Sequence, residues 1–251
     1  MAMRLAQILY SQGFGTRRDC SALVQRGDVA VDGRPVMDAD EDFPEDQLCF
    51  AVQGKPWEYH ATALVLLHKP TGYECSQKPK HHPSVLALLP PPLRTRGVQP
   101  VGRLDEDTTG LLLLTDDGGL IHRPTSPKHH VPKVYDVGCK HAVTDALVSS
   151  LLAGVVLDDG PLPVRAAAAA RTGEHTLRMT LTEGKYHQVK RMIAAVGNRV
   201  EALHRSEFGA LALPFDLPSG AWRWLDAPQA ILREPATDNA AHASLSRDPP
   251  P

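Results

Sequence analysis

Four consecutive leucines, Leu111–Leu114, followed by Thr115, constrain this chain more than any other feature. An extended segment sends successive side chains to opposite faces, so an unbroken apolar run has to be buried on both. The run therefore calls for a strand inside a covered sheet, ended by a hairpin turn at Asp116-Asp117-Gly118-Gly119. Just before it comes Val101–Gly110, in which Asp105 stands at the mouth of the strand, two places after Arg103 and ahead of a Thr108-Thr109-Gly110 turn. An ionised carboxylate beside an apolar layer needs compensation. Arg103 would point to the other face of an extended segment, so a partner is expected from elsewhere in the chain. The plainer alternative is a loop aspartate that only caps the turn.

Three parts are expected along the chain. Residues 1–59 read as a small α/β unit. Leu5, Ile8 and Leu9 fall at helical spacing, Thr16 is placed to cap a second helix stopped by Gly27, and DVAVDGRPV reads as a hairpin turning at Asp32-Gly33. The acidic stretch from Asp38 to Pro56 would close this unit and lead into a linker. Residues 60–234 form the main body. TALVLLHKP, LLLLT, KVYDVGCK and EHTLRMTLTEG read as strands and YHQVKRMIAAVG as a helix ended by Gly197. Strands outnumber helices, which favours an antiparallel or mixed sheet over a doubly wound one. RAAAAARTGEH is alanine-biased and suits a helix turn or a strand lead-in. Residues 235–251 are small, polar and proline-ended, and are expected to be disordered.

The formal net charge of −2 conceals segregation. Arg4, Arg17, Arg18, Arg26 and Arg34 give the first 36 residues a basic face, the 37–59 stretch is strongly acidic, and the body is mildly basic. Cys20, Cys49, Cys75 and Cys139 are scattered, with no CxxC spacing, so neither a disulfide framework nor a zinc site is expected. Reduced thiols, the lack of an apolar run near the ~20 residues of a membrane span and the lack of a signal-peptide core imply a cytoplasmic setting.

Two further segments carry candidate chemistry. EGKYHQVKRMIAAVGNRVEALHR holds Lys185, Lys190, Arg191, Arg199 and Arg205, with Val189, Ile193 and Val196 as an apolar stripe. One cation could reach the carboxylate and others could hold phosphates, although most such runs are simply solvated faces. HRPTSPKHHVPKVYDV combines Arg123, Lys128, His129, His130 and Lys133 with Tyr135, the raw materials for holding an unstacked base. A strand-edge tyrosine is the plainer alternative. The histidine pairs are adjacent, not i, i+4, and no phosphate-binding glycine loop occurs, so no metal and no nucleotide cofactor are expected. Asp105-Glu106-Asp107-Thr108-Thr109 also fits D-x-D-x-T, the nucleophile loop of haloacid-dehalogenase-type phosphatases, but it lacks the buried strand that should precede it.

Together, GRLDEDTTGLLLLTDDG, the KVY strand, EGKYHQVKRMIAAVGNRVEALHR and LLHKPTGYECS resemble the motifs of bacterial rRNA pseudouridine synthases of the RsuA type. MRLAQILYSQGFGTRRDCSALVQRGDVAVDGRPV resembles the S-four-like RNA-binding module that precedes their catalytic domain. The resemblance runs from about Met3 to Leu232. It departs from the family at His68, where an Asn usually precedes Lys-Pro. It implies an α+β pseudouridine synthase fold, with a mixed, mainly antiparallel central sheet and flanking helices, behind the small α/β domain. By the same resemblance Asp105 is the catalytic aspartate, Arg103 helps displace the target nucleotide, and Tyr135 stacks on the flipped uracil. Lys190 pairs with the aspartate, with Arg191 as the fallback, and Leu203 packs under the site. RNA contacts would come from Arg4, Arg17, Arg18, Arg26, Arg34, Lys133, Lys185 and Arg205. The wording Tyr186-His187-Gln188 looks most like the enzyme acting on small-subunit 16S rRNA. A large-subunit enzyme of the same family and a non-catalytic ribosome-assembly protein are the alternatives. The implied partner is rRNA or an assembly intermediate, bound by a monomer without a cofactor.

Overall fold

A computed structural model describes residues 2–125 and 129–225, with the backbone alone for 123–125. The tail 235–251, Lys128 and the Arg123 side chain lie outside the described residues.

The first helix, Leu5–Ser11, buries Leu5, Ile8 and Leu9. The second, Arg17–Gln25, opens on a reciprocal cap: the Thr16 hydroxyl accepts from the Asp19 N–H, and the Asp19 carboxylate accepts from the Thr16 N–H. Both helices pack on a four-stranded antiparallel sheet ordered Arg34–Val36, Val29–Val31, Cys49–Val52, Lys55–Glu58. The hairpin turn has positive φ at Asp32 (49°) and Gly33 (75°), as a two-residue I′ turn needs. The stretch Asp38–Pro56 closes the unit as expected, but it does so with strands and the turns between them. Asp42–Pro44 pairs with Ala2–Arg4, and Phe43, Leu48, Phe50 and Val52 are core residues. Their alternating burial outweighs the acidic composition of the residues between them.

The body is built on a mixed sheet whose main path runs Ala168–Arg171, Thr176–Leu181, Lys133–Cys139, Val200–Phe208, Thr109–Thr115, Leu64–Lys69, Trp222–Trp224. Val200–Phe208 and Thr109–Thr115 run parallel, while the other neighbours on that path are antiparallel. The leucine run lies near the middle. Leu112 and Leu114 pack with Val65, Leu67 and Val85 on one face, and Leu111 and Leu113 with Leu64, Leu66 and Phe208 on the other. A third cluster around Leu147, Leu177, Met179, Met192 and Ile193 fills the far side.

Three local expectations need correction. Asp116-Asp117-Gly118-Gly119 is not a hairpin turn. Asp117 Oδ1 accepts from the Gly119 N–H at 2.7 Å where the helix Gly118–Thr125 begins, and Asp116 pairs with Arg96. Thr109 and Gly110 belong to the strand, not to a turn. The alanine-rich stretch is an edge strand, Ala168–Arg171. No helix among the described residues is long and apolar enough to cross a membrane.

Candidate functional site

The strand Thr109–Thr115 emerges from the core next to a cleft of about 900 Å³. The turn before it, closed by the Thr108 N–H donating to the Asp105 carbonyl at 3.1 Å, puts Asp105 in the cleft wall. Its side chain is about one-third exposed. Lys190, from the helix Gln188–Ala195, brings Nζ to 3.0 Å from Asp105 Oδ2 and donates to both oxygens of Asp107 at 2.7 and 2.9 Å. Burial works against the ammonium, but Asp107 and Asp105 outweigh it and raise its pKa. Asp107, itself partly buried, is held below the usual carboxylate range by Lys190. Arg191 turns away and pairs with Asp159 at 2.8 Å. The D-x-D-x-T reading finds no support here, because the strand follows the acidic turn.

Tyr135 and Lys133 on Lys133–Cys139 and Leu203 and Arg205 on Val200–Phe208 also line the cleft. Lys133 and Arg205, expected among the RNA-contacting residues, are buried: their exposures are 9% and 2%. Strand alternation from Tyr135 and Leu203 turns both inward. Arg103 and Lys185 are exposed at the rim. Arg4, Arg17, Arg18, Arg26 and Arg34 are all exposed on the N-terminal unit. Arg4, Arg26 and Arg34 pair with Asp40, Asp28 and Glu41, and Arg17 lies over the Tyr10 ring.

Four residues with no assigned role in the sequence reading shape the site. His187, left-handed at φ 47°, brings Nε2 to 3.3 Å from Asp105 Oδ1, with the exposed Tyr186 ring stacked on it at 3.8 Å. His68, the departure from Asn, donates through Nδ1 to the Leu217 carbonyl at 2.9 Å, so it braces the strand end. Lys69 is fully buried, and its Nζ donates to the carbonyls of Pro70, Glu106 and Thr108 at 3.0, 3.1 and 2.9 Å. Burial depresses its pKa, with Cys75 and the acidic turn opposing. Two of those carbonyls belong to the Asp105 turn, so Lys69 holds it from beneath. Lys69→Met keeps the length and removes the donors. It is expected to cost about 2–4 kcal/mol, since buried carbonyls left unpaired cost roughly 1–3 kcal/mol each. Thermal unfolding, which should shift to lower temperature, checks this.

Glu74 organises the opposite wall. Its carboxylate accepts from the backbone N–H groups of Lys80, His81 and His82 at 3.0, 2.8 and 2.9 Å. Those bonds, led by His81, pull its pKa down to about 2. A carboxyl depressed on folding stabilises the loop above the ordinary glutamate range and loses that contribution as the pH falls toward the depressed value. Protection of the three amides from hydrogen exchange is therefore expected at neutral pH and should fade with acidification toward about 2. Glu74→Gln should lose it at neutral pH.

Comparison with known proteins bears on this arrangement. The family model described as RNA pseudouridylate synthase matches residues 63–195, and the S4 domain model matches residues 3–42. An uncharacterized RNA pseudouridine synthase of Bacillus subtilis is 38% identical over 93% of this chain and 99% of its own length. The ribosomal small subunit pseudouridine synthase A of Escherichia coli is 39% identical over 88% of this chain and 95% of its own. A crystal structure of a pseudouridylate synthase superposes with a TM-score of 0.64 at 31% identity, covering 91% of this chain and 98% of that one. The carboxylate turn, the helix that supplies Lys190 and the strand that carries Tyr135 all fall within the matched segment, and the chain belongs to the RNA pseudouridylate synthase family.

Proposed function

We propose that this chain isomerises a uridine of small-subunit ribosomal RNA to pseudouridine, with residues 60–234 as the catalytic part and residues 1–59 as a docking module. The observation that carries the reading is Asp105 in the cleft wall, 3.0 Å from Lys190, in a cleft also lined by Tyr135. Isomerisation breaks the bond from the sugar to uracil N1, turns the base and rejoins it through C5. The base never leaves, so no cosubstrate is consumed. A lone carboxylate can start this by attacking the anomeric carbon or by taking the neighbouring sugar proton. Both routes use the carboxylate, and the Lys190 ammonium lies 3.0 Å from its Oδ2.

The target must leave its stack, at a cost of a few kcal/mol. Arg103 fills the vacated place at the rim, Tyr135 stacks on the extruded uracil for roughly 1–3 kcal/mol, and Leu203 packs below. Lys185 and the arginines of the N-terminal unit contact phosphates, so binding should weaken as salt rises. The same reading has a monomer acting in the cytoplasm, where ribosomal RNA is found. The small-subunit assignment draws support from the name of the Escherichia coli relative.

Mapping pseudouridines in ribosomal RNA from cells with and without the gene tests the proposal. One small-subunit position should lose its modification and regain it with the gene restored. An unchanged map would refute the activity, and a lost position in the large subunit would refute the substrate.

A further inference from the structure

Lys133 and Arg205 are buried in the floor of the cleft and have no carboxylate partner among the described residues. Lys133 Nζ donates to the Val131 carbonyl at 2.8 Å and sits 5.5 Å from the centroid of the Phe208 ring. Arg205 Nε donates to the Leu111 carbonyl at 2.9 Å, its guanidinium lies 5.1 Å from the same centroid, and its Nη2 is buried without a hydrogen-bond partner. Among the described residues neither cation forms a salt bridge. Burial first, then the Arg205 charge, presses the Lys133 pKa down to about 8. Two unneutralised cations in a low-dielectric floor are costly in the empty protein. An anion arriving there would relieve that cost.

The burial of the pair says which anion. A phosphodiester carries a sugar on each side and suits the rim, where Arg103 and Lys185 are exposed. A flat base edge suits the floor, in a cleft also lined by Tyr135 and Leu203. Resting on the uridine isomerisation above, we propose that Lys133 and Arg205 stabilise the uracil anion released when the glycosidic bond breaks. The N1–C1′ bond breaks with its electron pair going to uracil, where the charge spreads over N1, O2 and O4. The base turns and C5 returns a pair to C1′, as the Asp105–C1′ ester bond breaks on the first route or as the C1′–C2′ double bond takes its proton back at C2′ on the second; the C5 proton is then lost and N1 takes one up. Whether Asp105 attacks C1′ or removes the sugar proton, uracil departs as the same anion. Fixed cations aimed at developing charge act on the transition state more than on the neutral ground state.

The test compares two leaving groups in single-turnover reactions of the full chain. One RNA carries uridine at the target and the other 5-fluorouridine, whose anion is stabilised by the fluorine itself. Cleavage of N1–C1′ is read as loss of the target nucleoside from nuclease digests. Lys133→Gln keeps a donor for the Val131 carbonyl and removes the charge. It is expected to slow uridine about 100-fold, as loss of one preorganised electrostatic group does, and 5-fluorouridine less than about 10-fold. Lys133→Arg should recover most of the uridine rate. If Lys133→Gln does not fold, Arg205→Lys with Lys133→Met reads the same contrast against Arg205→Lys alone. Equal slowing of both RNAs, or none, overturns the proposal. A wild-type chain that converts neither RNA would instead overturn the isomerase reading.

Discussion

Replacing Asp105 by asparagine is expected to lower pseudouridine formation by about 10³-fold or more, roughly 4 kcal/mol of transition-state stabilisation. The amide is close to isosteric but is neither a nucleophile nor a base of the required strength. The fold should hold, because Lys190 is not orphaned: both Asp107 oxygens still accept from it at 2.7 and 2.9 Å. RNA affinity should stay the same or rise slightly at low salt, since one negative charge leaves a cleft that receives a polyanion. Single-turnover conversion and filter binding on the same preparation check both halves. Wild-type product yield would defeat the role of Asp105. Loss of binding together with activity would mean that Asp105 shapes the RNA surface, contrary to the role given to it here.

How much of this was legible in the sequence depended on the range of the interaction. The leucine run announced a doubly covered strand because strand periodicity is local and absolute. The Thr16 cap and the Asp32-Gly33 turn were legible for the same reason, as each is complete within four residues. The acid's need for a distant cation followed from solvation, but its choice between Lys190 and Arg191 did not. Neighbours on a helix point about 100° apart, and only the docked helix shows which one faces Asp105. Lys69 was hidden because an ammonium that binds backbone carbonyls leaves no pattern of side-chain types. The burial of Lys133 and Arg205 was not legible, since a charged residue is most often exposed and only the strand faces of Tyr135 and Leu203 overrule that expectation here.

Gly110→Ala should be the most damaging single change at the base of the site. Gly110 has φ +111°, a region that L side chains rarely adopt. It pairs with Arg205 across the parallel strands, and an added Cβ would stand 2.2 Å from the Arg205 carbonyl oxygen and 2.7 Å from its nitrogen. Both obstacles are backbone, so no rotamer change relieves them. The strands must part where one carries the Asp105 turn and the other carries Arg205 and Leu203. Backbone strain and overpacking each cost about 1–3 kcal/mol, so a loss of roughly 3–5 kcal/mol is expected. At this chain length that lowers the melting temperature by about 10 °C or more. Activity should fall further than stability explains, because the surviving molecules hold the carboxylate and the cleft floor out of register. Gly118→Ala is the matched control: a Cβ there meets nothing within 4 Å, at the start of a helix. It should melt within a few degrees of the wild type and keep its rate. A Gly110→Ala protein that melts and reacts like that control would show that the close approach of the two strands is not what holds Asp105 over its floor.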